Sequence, residues 1–177
     1  MADLLSHVLF AFAVFTVAGW AATWLGPRWV AVGMVGAVLP DLDLVGVLVD
    51  AAVLSETLGL PFAWGAIHTL GGVLLLAGAG ALLFEDGAHR RRAFALLTAG
   101  GVSHLAIDGM KVWADGANGV SLYPFSWWRN PTPGLYVPGD RRVVVVAVIL
   151  AGAVWLLNRY LVPAPQDELR SGGTGRG

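Results

Sequence analysis

From Leu4 to Leu25 the chain carries no Asp, Glu, Lys or Arg. A run of that length matches the roughly 20 apolar residues an α-helix needs to cross a bilayer. It is preceded by Asp3 rather than a basic leading region and contains His7. It therefore reads as a signal anchor or a first spanning helix, and not as a cleaved secretory signal. Four further apolar segments follow, at about 27–39, 63–84, 93–109 and 142–161. The expectation is an all-α, polytopic membrane helical bundle of about five hydrophobic segments, one of them broken or re-entrant. Pro40 interrupts the second segment. The stretch 44–60, apolar except around Asp50, Ser55 and Glu56, reads as a re-entrant or interfacial helix, or as the continuation of that segment.

Composition agrees. Hydrophobic residues make up 56% and charged residues 13%, against about 45–50% and about 25% in soluble domains. Residues 1–162 read as a single integral membrane domain. Residues 163–177 form a polar, Pro/Gly-rich tail expected to be disordered and cytoplasmic. A net charge of −1 gives no field that would gather nucleic acid. With no cysteine, disulfides and thiolate ligands are excluded, and any metal must be held by His, Asp or Glu.

An up-and-down order puts Arg28, Arg90, Arg91, Arg92, Arg159, Arg170 and Arg176 on one side, and Lys111, Arg129, Arg141 and Arg142 on the other. The richer side is expected to be cytoplasmic. Trp20, Trp24, Trp29 and Trp155 then fall near the cytoplasmic ends, and Trp64, Trp113, Trp127 and Trp128 near the outer ends, as two interfacial belts.

Within this frame the stretch Leu39–Val45, LPDLDLV, stands out. Two carboxylates in an apolar region need water, a partner or a metal. His7 lies near the start of the first segment, Asp41 and Asp43 at the end of the second, His68 near the start of the third, and His104 and Asp108 near the end of the fourth. In an alternating bundle these positions share one side, the extracytoplasmic one. His104 and Asp108 are four residues apart and occupy one helix face. The second segment from Pro27 to Leu39 spans about 20 Å at 1.5 Å per residue, less than the roughly 30 Å hydrocarbon core. The irregular backbone after Pro40 is therefore expected to be recessed and to line a pocket that opens outward.

His7, Asp41, Asp43, His68, His104 and Asp108 are thus six candidate ligands, with Asp43 either a ligand or the general base. Such donors suit Zn²⁺ first, with Mn²⁺ or Fe²⁺ as alternatives. One ion is expected, or two about 3.5–4 Å apart that would clamp a phosphoryl oxygen. Asp3, four residues from His7, and Ser103 and Thr69, beside His104 and His68, are candidates to orient the ligand rings. His89 sits in the basic stretch AHRRR and is assigned no chemistry. The longest connection, 109–140, is rich in aromatics and reads as an outer belt or a lid, with Lys111, Tyr123 and Arg129 placed to meet an anionic substrate.

The order of these motifs is informative. SH near the N-terminus, PDLD, a His-Thr pair, HLAID and then GVSLYPFS together resemble the YdjM-like family of membrane-bound metal-dependent hydrolases, over roughly residues 6–126. The resemblance implies that His7, Asp41, Asp43, His68, His104 and Asp108 are characteristic polar positions. The chain departs from it in AIHTLGG, where Trp64 or Gly65 stands in place of an expected Arg and Leu70 follows Thr69. The ligand order is more distantly similar to zinc-dependent phospholipase C, which implies phosphoester hydrolysis.

The function expected is a membrane-embedded, metal-dependent hydrolase of a phosphoester in a lipid or lipid-linked substrate. Its partners are membrane lipid and a small or lipid-linked anionic substrate, not nucleic acid. The alternatives are a metal or proton transporter, or an inactive structural membrane protein with a degenerate site.

Overall fold

The computed structural model describes residues 4–161. Asp3 and the tail 163–177 lie outside them. The described residues form α1 (Leu4–Ala21), α2 (Pro27–Val38), a 3-10 helix (Leu39–Val47), α3 (Ala51–Leu58), a 3-10 turn (Trp64–Ala66), α4 (Leu70–Ala81), α5 (Gly87–Asp108) and α6 (Arg141–Leu161). Among the described residues there is no strand, only two isolated bridges in the loop before α6. Three helical stretches are long and apolar enough to cross a membrane: Leu4–Ala21, Pro27–Val47 and Arg141–Tyr160.

In space the order is α6, α1, α2, α5, α4, each packed on the next. The tightest contact is α2 on α5, and glycine makes it. A Cβ on Gly100 would stand 2.2 Å from Gly33 O, and one on Gly36 would stand 2.4 Å from Leu97 O. The two backbones touch, as small residues allow between helices in an apolar solvent. The neighbouring Gly101 serves the other side of α5, where a Cβ would meet Val73 of α4 at 2.5 Å. Ala11, Phe15, Leu25, Val30, Ala37 and Leu96 form the apolar core beside this contact.

Three boundaries differ from the sequence expectation. Pro40 does not break the second segment into irregular backbone. The chain tightens there into a 3-10 helix that runs on to Val47, so the whole segment is about 35 Å long. Proline lacks only its own N–H and fits near a helix start, and the tighter turn accommodates it. α4 is shorter than expected because it begins on the outer loop. Leu70 N–H and Gly71 N–H donate to Ser121 O at 2.7 Å and Tyr123 O at 2.8 Å. Thr69 Oγ1 takes the Gly72 N–H at 3.2 Å. These bonds satisfy amides that a helix start otherwise leaves open. α5 begins earlier, because Asp86 accepts from both Ala88 N–H and His89 N–H at 2.9 Å and so caps it. Arg90, Arg91 and Arg92 therefore belong to its first turns rather than to a loop.

The α2–α5 contact yields the first prediction. Gly100→Ala should destabilise the detergent-solubilised protein by about 1–3 kcal/mol, the usual cost of overpacking. Gly78→Ala, with open space around it, should be neutral or better, since Ala is the stronger helix former. Unfolding midpoints of the two variants check this.

Candidate metal centre

The close approach of α2 and α5 aligns the chemistry one turn further on. His104 follows Gly100 by four residues on α5, and its Nδ1–H donates to Ala37 O of α2 at 2.8 Å. Pro40 explains why that carbonyl is open to the ring. In the 3-10 pattern residue 40 would donate to residue 37, and proline has no N–H to give. The bond fixes the tautomer of His104, so Nε2 carries the lone pair. That atom points at two carboxylates, 3.6 Å from Asp41 Oδ1 and 3.8 Å from Asp108 Oδ2.

All six predicted ligands meet here, at one end of the bundle. His7 Nε2 lies 3.3 Å from Asp108 Oδ1. His68 Nε2 lies 3.1 Å from Asp108 Oδ2 and its Nδ1 lies 3.5 Å from Asp43 Oδ2. The rings of His7 and His104 stack with centroids 3.7 Å apart, and His68 meets His104 edge-on at 5.0 Å. His7, His104, Asp41 and Asp108 are buried, whereas the side chains of His68 and Asp43 remain about a quarter exposed. That open side faces a cavity of about 360 Å³ lined by Asp43, His68, Thr69, Asp108, Lys111 and Ser121 among others.

The donor set fits a divalent ion. His7 Nδ1, Asp41 Oδ2, Asp43 Oδ1, His104 Nε2 and Asp108 Oδ1 are buried atoms with no hydrogen-bond partner. Buried polar atoms are nearly always paired, so the unpaired atoms of Asp41, His104 and Asp108 point to a bound ligand, whereas His7 turns its other nitrogen, Nε2, to Asp108 and Asp43 stands apart at the cavity. The spacing agrees. Two ligands about 2.0–2.2 Å from a tetrahedral Zn²⁺ stand roughly 3.3–3.6 Å apart, close to the 3.3–3.8 Å separations of His7 and His104 from the carboxylates. Two groups of three ligand atoms fall within reach of one ion each: His7, His104 and Asp108, and Asp41, His68 and His104. Both need His104. Because its Nδ1 is engaged, Nε2 can serve only one ion at a time.

The remaining predicted residues divide. Lys111 is buried and bonded to Asp108 Oδ2, with its ammonium over the Trp113 ring. It therefore belongs to the floor of the cavity rather than to an exposed loop. Arg129 is committed within the outer loop, donating to Asp115 Oδ2 at 2.7 Å and to Asn118 O at 3.0 Å. Its guanidinium holds the Asp115 carboxyl below the usual range. Tyr123 packs on Trp127. Thr69 donates to Ala66 O at 2.8 Å and secures the turn that carries His68. Ser103 donates back to Gly100 O at 2.7 Å, within its own helix. His89 lies at the opposite end of α5, stacked on Trp29 and 3.4 Å from Asp86.

Sequence reasoning passed over three participants: the Ala37 carbonyl, Tyr136 and Asn118. Tyr136 donates to Ile107 O at 2.7 Å and steadies the end of α5 beside Asp108. Asn118 is buried and donates to Ser121 Oγ at 2.8 Å, shaping the cavity wall. A polar residue in a Gly/Pro-rich loop gives no signal of such burial.

Fold and site together define a helical protein of membrane type with a His/carboxylate cluster at one end of its bundle. The family model of the YdjM inner membrane protein matches residues 1–165, and the chain belongs to that family. No curated protein and no solved structure matches the chain.

If the cluster holds zinc, adding Zn²⁺ at a hundred times its Kd to the metal-depleted protein should stabilise it by about 2.7 kcal/mol. His104→Ala and Asp108→Ala should each abolish the shift in unfolding midpoint, and His89→Ala should keep it.

Proposed function

We propose that the protein is a multi-pass membrane enzyme, a metal-dependent hydrolase that cleaves a phosphoester in a lipid or lipid-linked substrate. The convergence of His7, Asp41, His68, His104 and Asp108 in two metal-capable groups beside an open cavity carries this reading. Membership of an inner membrane family and three helices of spanning length support the membrane setting. The clustering of Arg90, Arg91 and Arg92 at the far end of α5 supports a site on the extracytoplasmic side.

A divalent ion, zinc first among the candidates, supplies Lewis-acid activation of water and of a phosphoryl oxygen. His7, His104 and Asp108, or Asp41, His68 and His104, would hold it. Asp43, beside His68 and partly exposed, is placed to accept a proton from water as general base. Lys111 supplies a fixed positive charge to a phosphoryl group in the cavity, a role that the resemblance would give to an Arg ahead of His68, where this chain has Trp64 and Gly65. Asp41, Asp43 and Asp108 contribute three negative charges and Lys111 one positive charge. One divalent ion then neutralises the site.

The test is turnover of phosphodiester and phospholipid panels by the purified protein, with bound metal measured by elemental analysis. His104→Ala with Asp108→Ala should remove both metal and activity. Lys111→Met should keep the metal yet lower kcat by about a hundredfold, as loss of a transition-state charge contact does. Zinc uptake into proteoliposomes without hydrolysis would overturn the proposal in favour of a transporter.

A further inference from the structure

A second cavity lies on the far side of the ligand-bearing helix ends. It has a volume of about 420 Å³ and runs between α1, the end of α5 and the first turns of α6. Its polar rim is Asp140 and Arg142, which pair at 2.8 Å. Its walls are Phe10, Val143, Val146, Ala147 and Leu150. From Val143 to Leu150 it extends about 10 Å along α6, some two thirds of one bilayer leaflet of about 15 Å. Two of its lining residues adjoin ligands: Ser6 precedes His7, and Ile107 precedes Asp108.

Ser6 distinguishes this groove from an ordinary lipid-facing surface. It is only 2% exposed, and its hydroxyl has no hydrogen-bond partner. An unpaired buried hydroxyl is costly in an apolar setting. A hydrocarbon chain alone cannot satisfy it, but an ester oxygen at the head of such a chain can. The groove is therefore polar at its mouth and apolar along its length, and of its two hydroxyls Tyr136 is bonded to Ile107 O whereas Ser6 is free. That is the polarity profile of an acylated glycerol.

We infer that this groove holds one acyl chain of an ester phospholipid from the leaflet on the site's side, with Ser6 on an ester oxygen and the headgroup at the rim formed by the Asp140–Arg142 pair. This rests on the hydrolase reading only in naming that lipid as the substrate. Occupancy itself is independent of catalysis. In that pose the headgroup lies next to the helix ends that carry His7 and Asp108.

The full-length protein, reconstituted with a phospholipid bearing a diazirine in one acyl chain, gives the test. Illumination should label peptides of α1 and α6 around Phe10 and Val146. Val146→Trp, a change at an exposed groove position, should reduce that labelling about tenfold, as even mild overpacking does. Val148→Trp, on α6 but outside the groove, should leave it unchanged. Ser6→Ala should weaken labelling by the ester lipid and not by its ether analogue. Labelling spread evenly over α6 and indifferent to Val146→Trp overturns the proposal, as does labelling displaced by a second copy of the chain. Hydrolysis of a short-chain, water-soluble ester separates the two readings. If Val146→Trp spares it while long-chain lipid turnover falls, both stand. If no substrate is turned over yet labelling follows the groove, only the hydrolase reading falls.

Discussion

The hydrogen bond from His104 Nδ1–H to Ala37 O, at 2.8 Å, depends on features of two helices at once. Gly36 and Gly100 let the backbones of α2 and α5 touch, and Gly33 makes room for Phe15 of α1. Pro40 opens the carbonyl by withholding its own N–H. The bond then decides which nitrogen of His104 is free, and with it how many ions the cluster can share. Asp41 and Asp108 are carried to the same point by the helices that the contact aligns. A Cβ at Gly100 would act on the site without touching any ligand.

That constraint also explains which parts of the protein were legible from sequence. The spans of α1 and α6 show as uninterrupted apolar runs because nothing on them does chemistry in their central turns. The joint level of His7, Asp41, His68, His104 and Asp108 follows from alternation along the bundle, and the i,i+4 spacing of His104 and Asp108 sets their common face. The continuation past Pro40 was one of the readings the sequence left open, but its 3-10 form through Val47 was not legible, because a proline followed by two acids reads as a stop. The start of α4 was not legible either. Its first amides bond to Ser121 and Tyr123, some fifty residues away, and no local pattern records so distant a partner. Lys111 reads in the sequence as a loop cation placed to meet an anionic substrate. Its burial depends on Asp108 three residues before it and on a loop that closes over both.

The outer loop is better described as a built wall than as a flexible cover. Arg129 ties Asp115 to the Ala117 and Asn118 carbonyls. Asn118 reaches Ser121, and Ser121 O in turn caps α4 beside His68. A chain of polar contacts thus runs from the exposed loop to the turn that holds a candidate ligand. The charged Arg129–Asp115 pair is at the surface, where such pairs contribute little to stability. Its effect is to hold backbone carbonyls in register, which keeps the cavity open on the His68 and Asp43 side.

The energetic case for an ion follows from magnitudes. Each buried polar atom left unpaired costs about 1–3 kcal/mol. Five of them together approach the roughly 5–15 kcal/mol by which a whole domain is stable. Water can satisfy such atoms individually, but the carboxylates would still repel one another across a few ångströms of low-dielectric interior. Lys111 offsets one of those charges from the cavity side. A divalent ion held by His104 with His7 and Asp108, or with Asp41 and His68, would satisfy several of these atoms and reduce the repulsion in one step, and structural zinc binding has apparent free energies of about 10–16 kcal/mol. The cluster is thus expensive as a purely structural device and economical as a metal centre, which is the physical reason to place function there.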